Sequence, residues 1–344
     1  MKTALVLGGT GSLSSTVERL VRDGWRVTVT ARSPRAVPSS WAGLGVRFHV
    51  VDRSESETMG ELVGDGFDLL VDGQCYTPEQ AEHLAQWSHR CASTVMLSAR
   101  AVYIDSRGRH LNSEEPPQWD GPTPESQPTM PFRGEPHASR EGYGSNKAEA
   151  ERVLMARGAR ASMLRPSKIH GPGVRQVREW PIVQRVLDGR SWLPVRDGDR
   201  VESTTSTAVL ADAVLACASN PATRLLNVAD ADAQPARQLA ALVARAAGAE
   251  LQQVDVDATC SPPIGVLPWN QDNLLDISAL TQLGVTPTTF ADTIQQEVAW
   301  VAGIASRGQD GGWQLPEWLH IATPDYAAEE RCRPAPGATT AKSH

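Results

Sequence analysis

Leu5-Val6-Leu7-Gly8-Gly9-Thr10-Gly11-Ser12-Leu13-Ser14 opens the chain with an apolar run, a glycine-rich turn and the start of a periodic, mixed-polarity segment. The run from Ala4 to Leu7 reads as a buried strand, and Val17 to Val21 opens an amphipathic helix. Glycines between strand and helix permit a tight turn. The helix behind it offers unpaired N–H groups and the positive end of its dipole, a position that suits the phosphates of a dinucleotide. Glycine also ends strands for steric reasons alone, so the reading needs support from downstream.

That support begins with alternation. Strand-like segments recur at Thr3 to Leu7, Arg26 to Thr30, Arg47 to Val51, Leu69 to Val71, Thr94 to Leu97 and Ala161 to Leu164, with helical stretches between them. Parallel strands need such crossovers, so the pattern predicts an α/β fold, a Rossmann-type doubly wound parallel sheet over residues 1–165. After Arg165-Pro166 the texture changes, with helices predicted over Trp180 to Leu187, Ala208 to Ala218, Ala236 to Ala247 and Phe290 to Ala302. Residues 166–332 are read as a smaller C-terminal substrate-binding portion, with some segments returning to the Rossmann domain, and 333–344 as a disordered tail. Asp105 to Gly142, rich in Pro, Ser, Glu and Gly, is long for a loop and is either a functional lid or a poorly ordered insertion.

Composition narrows the class. A chain of 344 residues carries a formal net charge of −7 with its basic residues dispersed, which speaks against nucleic-acid or membrane-surface binding. The 5 cysteines (Cys75, Cys91, Cys217, Cys260, Cys332) lack CxxC spacing and are expected to be reduced thiols. No signal-peptide pattern and no membrane-length apolar run is present, so a soluble cytoplasmic protein is expected. The 8 histidines show no ligand spacing, and no metal is predicted.

Tyr143-Gly144-Ser145-Asn146-Lys147 leads into Ala148-Glu149-Ala150-Glu151, good helix-forming material. Tyr143 and Lys147, at i and i+4, share a helical face, where an ammonium can lower a phenol's pKa and hold a ribose hydroxyl. An isolated pair at this spacing is more often a solvated helix face. Here it stands in order with Gly8-Gly9-Thr10-Gly11, Asp52-Arg53, Ala101-Val102-Tyr103, Leu164-Arg165-Pro166-Ser167-Lys168-Ile169-His170-Gly171-Pro172-Gly173, Leu283-Gly284-Val285-Thr286-Pro287 and Val298-Ala299-Trp300. Together these resemble the extended short-chain dehydrogenase/reductase, or NAD-dependent epimerase/dehydratase, family over roughly residues 1–300.

The resemblance implies an enzyme in which Tyr143 is the general acid/base and Lys147 orients the nicotinamide ribose. It places Gly8, Thr10, Gly11, Ser12 and Leu13 at the pyrophosphate, Asp52 and Arg53 beside the adenine, and Pro166 at the cofactor. It also implies a homodimer through a bundle that includes the Tyr143 helix. Two departures stand out: the third motif glycine is Ser14, and the usual catalytic Ser or Thr position is Ala99, with Ser98 one step earlier. Alternate strand residues face opposite sides, so Ser98 can substitute only where the strand end bends or bulges. Otherwise it caps the strand.

The second strand ends in Thr30-Ala31-Arg32-Ser33-Pro34-Arg35 rather than in an acidic residue, and Arg32 can pair with a 2′-phosphate. NADP(H) is therefore favoured over NAD(H). Arg175, Arg178, Arg185, Arg190 and Arg196 cluster where sugar-nucleotide relatives bind a diphosphate; Arg175, Arg178 and Arg185 are taken as substrate-binding. The predicted substrate is a small polar molecule: a sugar, nucleoside or nucleotide sugar, altered at a hydroxyl or carbonyl carbon. The alternative, motivated by Ala99 and Ser14, is a catalytically silent dinucleotide-sensing or interaction protein on the same fold.

Overall fold

The computed structural model describes residues 1–33, 37–256, 267, 271–309, 311–319 and 323–333. In chain order the strands are β1 (Thr3–Leu7), β2 (Arg26–Ala31), β3 (Arg47–Val50), β4 (Leu69–Asp72), β5 (Ser93–Leu97), β6 (Ala161–Pro166), β7 (Ile169–His170), β8 (Trp192–Val195), β9 (Thr205–Ser206), β10 (Arg224–Val228), β11 (Gln252–Asp255), β12 (Ser306–Arg307) and β13 (Trp313–Gln314). The helices are α1 (Ser14–Arg22), α2 (Ser56–Val63), α3 (Pro78–Ser88), α4 (Gly142–Ala156), α5 (Trp180–Leu187), α6 (Thr207–Ser219), α7 (Ala236–Ala246), α8 (Ser278–Gln282), α9 (Phe290–Ile304) and α10 (Tyr326–Cys332).

Two compact units are present, the first formed by Met1–Ile169, Ser203–Ala231 and Asn273–Thr288, the second by the remainder. The first holds a 7-stranded sheet in the order β10-β6-β5-β4-β1-β2-β3. Every neighbouring pair in it runs parallel. Strand alternation divides the interior. Ala4 and Val6 face one core with Val17 and Leu20 of α1 and Leu210 and Val214 of α6. Leu5 and Leu7 face the other, with Met59, Leu84 and Leu154 from α2, α3 and α4. Each fully buried Val, Leu or Met among them contributes about 1.5–3 kcal/mol relative to exposure. The strand order reverses beside β1 and β4, and in open α/β sheets the crevice outside that point is where ligands bind.

Glycine sets two close approaches there. Gly8 follows β1 at φ +74, and a Cβ on it would lie 2.7 Å from the Gln74 side chain. Gly144, in the first turns of α4, has no room for a side chain either: a Cβ would sit 2.1 Å from the Ala101 carbonyl oxygen and 2.6 Å from Met130 Sδ. Gly144→Ala is accordingly expected to cost about 1–3 kcal/mol through overpacking. Chemical denaturation checks this, and a variant unfolding at the parent's midpoint would show that helix and turn can separate at no cost.

In the second unit β8 and β11 pair in parallel, β12 and β13 pair antiparallel, and α10 is tied down by Tyr326 Oη donating to Asp188 (2.9 Å) and Trp192 Nε1 donating to Glu330 (2.8 Å). Two expectations change or fall outside the description. Cys75, Cys91 and Cys217 are free and buried, but Cys332 is disulfide-bonded, so the reading of all five cysteines as reduced thiols is corrected. The predicted tail lies, from residue 334 onward, outside the described residues, as do Arg35 and Cys260.

Candidate active site

The loop after β1 and the loop after β4 meet at the sheet's point of reversal, with Leu7 paired to Asp72 in register. Ser14, where a third glycine was the family expectation, is the buried first residue of α1 and donates its amide to Gly11 O at 2.8 Å. No side chain caps α1, and its first turn holds no acidic residue. That open N-terminus behind Gly8, Thr10, Gly11, Ser12 and Leu13 fits a pyrophosphate.

The β4 exit is fixed by a buried ion pair. Arg53 donates through Nε (3.0 Å) and Nη2 (2.7 Å) to Asp72, gives a further bond to Gln80 O (2.7 Å), and lies over the Trp87 ring at 4.9 Å. Its guanidinium is thus turned inward. The placement of Arg53 beside an adenine is corrected: it follows Asp52 in sequence but faces the core. Asp72 also accepts from Gln74 N at 2.8 Å, and Gln80 closes a capping box with Thr77 while accepting from Tyr76 N at 2.7 Å. These bonds hold Tyr76 at the mouth of the site.

From α4, Tyr143, Lys147 and Glu151 project on one face, four residues apart. The buried Lys147 ammonium donates to Cys75 O (2.7 Å) and Leu97 O (2.6 Å) and lies 4.3 Å from the Tyr76 ring centre. Burial lowers its pKa to about 8, against the charges of Asp72 and Glu151. The Tyr143 ring is 6.4 Å from that of Tyr76. Burial, then the neighbouring Tyr76 phenol, pushes the Tyr143 phenol above its ordinary value. The expected lowering by Lys147 is corrected, because the ammonium is directed at the two carbonyls.

Ser98, the candidate for the hydroxyl missing at Ala99, is bonded within the fold through both its amide and its hydroxyl. Its amide donates to Leu164 O at 2.7 Å, continuing the β5–β6 ladder without a bulge, and its hydroxyl donates to Glu151 at 2.6 Å. Glu151 is also gripped by Arg165 Nε (2.9 Å) and Nη2 (2.5 Å). Arg165 reaches on to Tyr103 Oη (3.0 Å), which donates to Asn227 Oδ1 (2.6 Å). The chain from Ser98 to Asn227 is a buried polar network; in sequence Ser98 stands out beside Ala99, and Tyr103 and Arg165 lie in motifs, but Glu151 reads only as helix-forming material.

The 105–142 stretch is held by its own hydrogen bonds and by α4. The Asp105 carboxylate collects the amides of Arg107, Arg109 and Gln118 (each 2.9 Å) and Arg109 Nε (2.7 Å). Burial opposes the charge, but the bonds from Gln118 and Arg109 bring this carboxyl down to about 2. Ser145 and Asn146 of α4 bind Pro131 O (3.0 Å) and Glu135 O (2.7 Å), and beyond them His137 stacks on Tyr76 at 5.5 Å and 20°. His137 falls in the 105–142 stretch read from the sequence as a lid or insertion, whereas Tyr76 belongs to no pattern read there.

Arg32 is exposed at the end of β2, and Asp52 lies within its electrostatic reach; the Ser54 amide, the Ser54 hydroxyl and then Arg32 lower the Asp52 pKa. Pro166 ends β6 opposite Val228. In the second unit, Arg175 is exposed and Arg178 donates to Gln176 at 2.7 Å. Arg185 is buried and committed to Glu329 and Pro181 O, so its assignment to a substrate phosphate is corrected. Among the described residues no group of three or more His, Cys, Asp or Glu could hold a metal ion, and no helix is long and apolar enough to cross a membrane.

The family model described as NAD dependent epimerase/dehydratase matches residues 4–229. Solved structures with the same fold include UDP-glucose 4-epimerase of Thermotoga maritima with UDP-glucose (TM-score 0.66, 17% identity, covering 88% of this chain and 99% of that one). Another is dTDP-glucose 4,6-dehydratase of Bacillus anthracis in complex with NAD (0.67, 14%, 88% and 97%). A third is UDP-glucuronic acid 4-epimerase of Bacillus cereus in complex with NAD (0.67, 14%, 92% and 100%). No curated protein matches the sequence. The chain belongs to the NAD-dependent epimerase/dehydratase family, enzymes of the extended short-chain dehydrogenase/reductase type.

Proposed function

We propose that the protein is an NADP(H)-using oxidoreductase or epimerase that acts on a hydroxyl or carbonyl carbon of a sugar, nucleoside or nucleotide sugar. The observation that carries this is the α4 face, where Tyr143 stands one turn before a buried Lys147 at the ends of β4 and β5. A bound nicotinamide dinucleotide supplies hydride acceptance and donation. The chain's own part is proton handling and positioning. A phenol raised by burial keeps its proton at neutral pH, so Tyr143 is suited to donate to a substrate oxygen as negative charge develops there, and to take the proton back in reverse. Lys147, charged below about pH 8 and one turn further along the same face, is suited to hold a ribose hydroxyl of the dinucleotide. The exposed 131–138 segment borders α4 through Ser145 and Asn146, with His137 stacked on Tyr76. UDP-glucose, dTDP-glucose and UDP-glucuronic acid, named with the structural relatives, are the first substrates to test.

NADP(H) is preferred on the strength of Arg32, exposed at the β2 end. Titration with NADPH, NADP⁺, NADH and NAD⁺, followed by nicotinamide fluorescence, tests it. NADPH is expected to bind about tenfold or more tightly than NADH, and Arg32→Ala to remove that preference, the scale of one charge-assisted pair to phosphate. Equal binding in the parent protein would overturn the NADP(H) assignment. The silent-relative reading is favoured by one feature, the commitment of Ser98 to Glu151 with Ala99 beside it. It would be upheld by dinucleotide binding without interconversion of any nucleotide sugar.

A further inference from the structure

We infer that Tyr76 competes with the nicotinamide-side ribose of the dinucleotide for the Lys147 ammonium, and that Tyr76 and His137 together set how readily the dinucleotide enters; this rests on the dinucleotide reading above. An ammonium has three N–H donors. In Lys147 two are taken by Cys75 O at 2.7 Å and Leu97 O at 2.6 Å, while the ammonium also sits 4.3 Å from the Tyr76 ring centre. A ribose hydroxyl that reaches Lys147 therefore has to displace one of three existing partners.

Charge-assisted bonds to buried carbonyls are the stronger, and they anchor α4 to the ends of β4 and β5. The aromatic face is the weaker partner, and it gives way. Tyr76 is half-buried and its main chain is pinned by Gln80, so any displacement falls to the side chain. Rotation breaks the stack on His137, an exposed residue of the segment that Asn146 holds through Glu135 O. Dinucleotide arrival is thereby coupled to release of that segment.

Binding tests this without turnover. NADPH and NADH are titrated against the parent protein, Tyr76→Leu, Tyr76→Phe and His137→Ala, with ADP, which lacks the nicotinamide-side ribose, as the comparison ligand. Tyr76→Leu is expected to bind the preferred dinucleotide about tenfold more tightly, the scale of a partly desolvated cation–π contact. His137→Ala should gain about threefold, on the same scale, by unstacking Tyr76. Tyr76→Phe, which keeps the ring, should match the parent, and ADP should bind all four alike. Because His137 is on the surface, its variant carries the test should Tyr76→Leu not fold. Unchanged or weaker dinucleotide binding in both Tyr76→Leu and His137→Ala, with ADP binding intact, overturns the competition and leaves the cofactor reading standing. Failure of every dinucleotide to bind any of the four proteins overturns both.

Discussion

Tyr143→Phe is expected to lower kcat by about 10²–10⁴ on the substrate the enzyme converts, the range of a single general acid/base. Dinucleotide affinity should be unaltered. The phenol, which burial keeps protonated, is the proposed donor to a substrate oxygen, whereas the ammonium of Lys147 is occupied by Cys75 O and Leu97 O and keeps its place when a ring oxygen four residues away is removed. Measuring kcat, KM and NADPH affinity side by side separates the two roles. Lys147→Met provides the contrast, since it removes a buried charge that ties α4 to Cys75 O and Leu97 O and that the proposed function assigns to the cofactor. Undiminished turnover by Tyr143→Phe would remove the phenol from the chemistry and reassign the proton to another group, with Tyr76, 6.4 Å away ring to ring, the first to examine.

How far this site could be read beforehand depended on whether a residue's placement is local. The strands and the glycine turn are local: each announces itself by alternation or by a backbone that a Cβ would block, as at Gly8. Tyr143 and Lys147 are fixed by helical periodicity. Glu151 obeys the same periodicity, but its meaning comes from Arg165 on β6 and Ser98 beyond β5, partners that sequence spacing does not supply. Arg53 was misplaced because its neighbour Asp52 is half-exposed while its own side chain turns toward Asp72, nineteen residues on. The turn that positions Tyr76 is written in Thr77-Pro78-Glu79-Gln80, a helix cap, yet nothing in a cap says which aromatic ring it will aim at a lysine. The 105–142 stretch has a loop's composition, and its order rests on one carboxylate, Asp105, gathering three amides that come together only after the chain has turned. The smaller unit was harder to read, because a guanidinium such as Arg185 looks the same in sequence whether it waits for phosphate or is buried against Glu329.

The largest loss of stability is expected from Arg165→Met. Arg165 and Glu151 are each about 2% exposed at the side chain, and the pair is bidentate. Burial alone would disfavour the charged guanidinium, but Glu151 outweighs it and raises the Arg165 pKa. Methionine fills much of the volume and leaves the Glu151 carboxylate with Ser98 as its remaining donor, together with an orphaned Glu125 carbonyl and a Tyr103 hydroxyl that burial has already pushed up to about 12. Breaking a buried pair from one side typically costs about 3–5 kcal/mol. Removing both charges, as in Glu151→Leu with Arg165→Met, should restore most of that loss, because an apolar pair of similar volume carries no desolvation penalty. Guanidinium unfolding of the parent, the two single variants and the double variant gives the coupling directly. Additive losses would mean that the two side chains stabilise the fold independently. A strongly positive coupling would identify the pair as the pin that holds α4 against β6, and so keeps Tyr143 and Lys147 at the ends of β4 and β5 where the proposed chemistry places them.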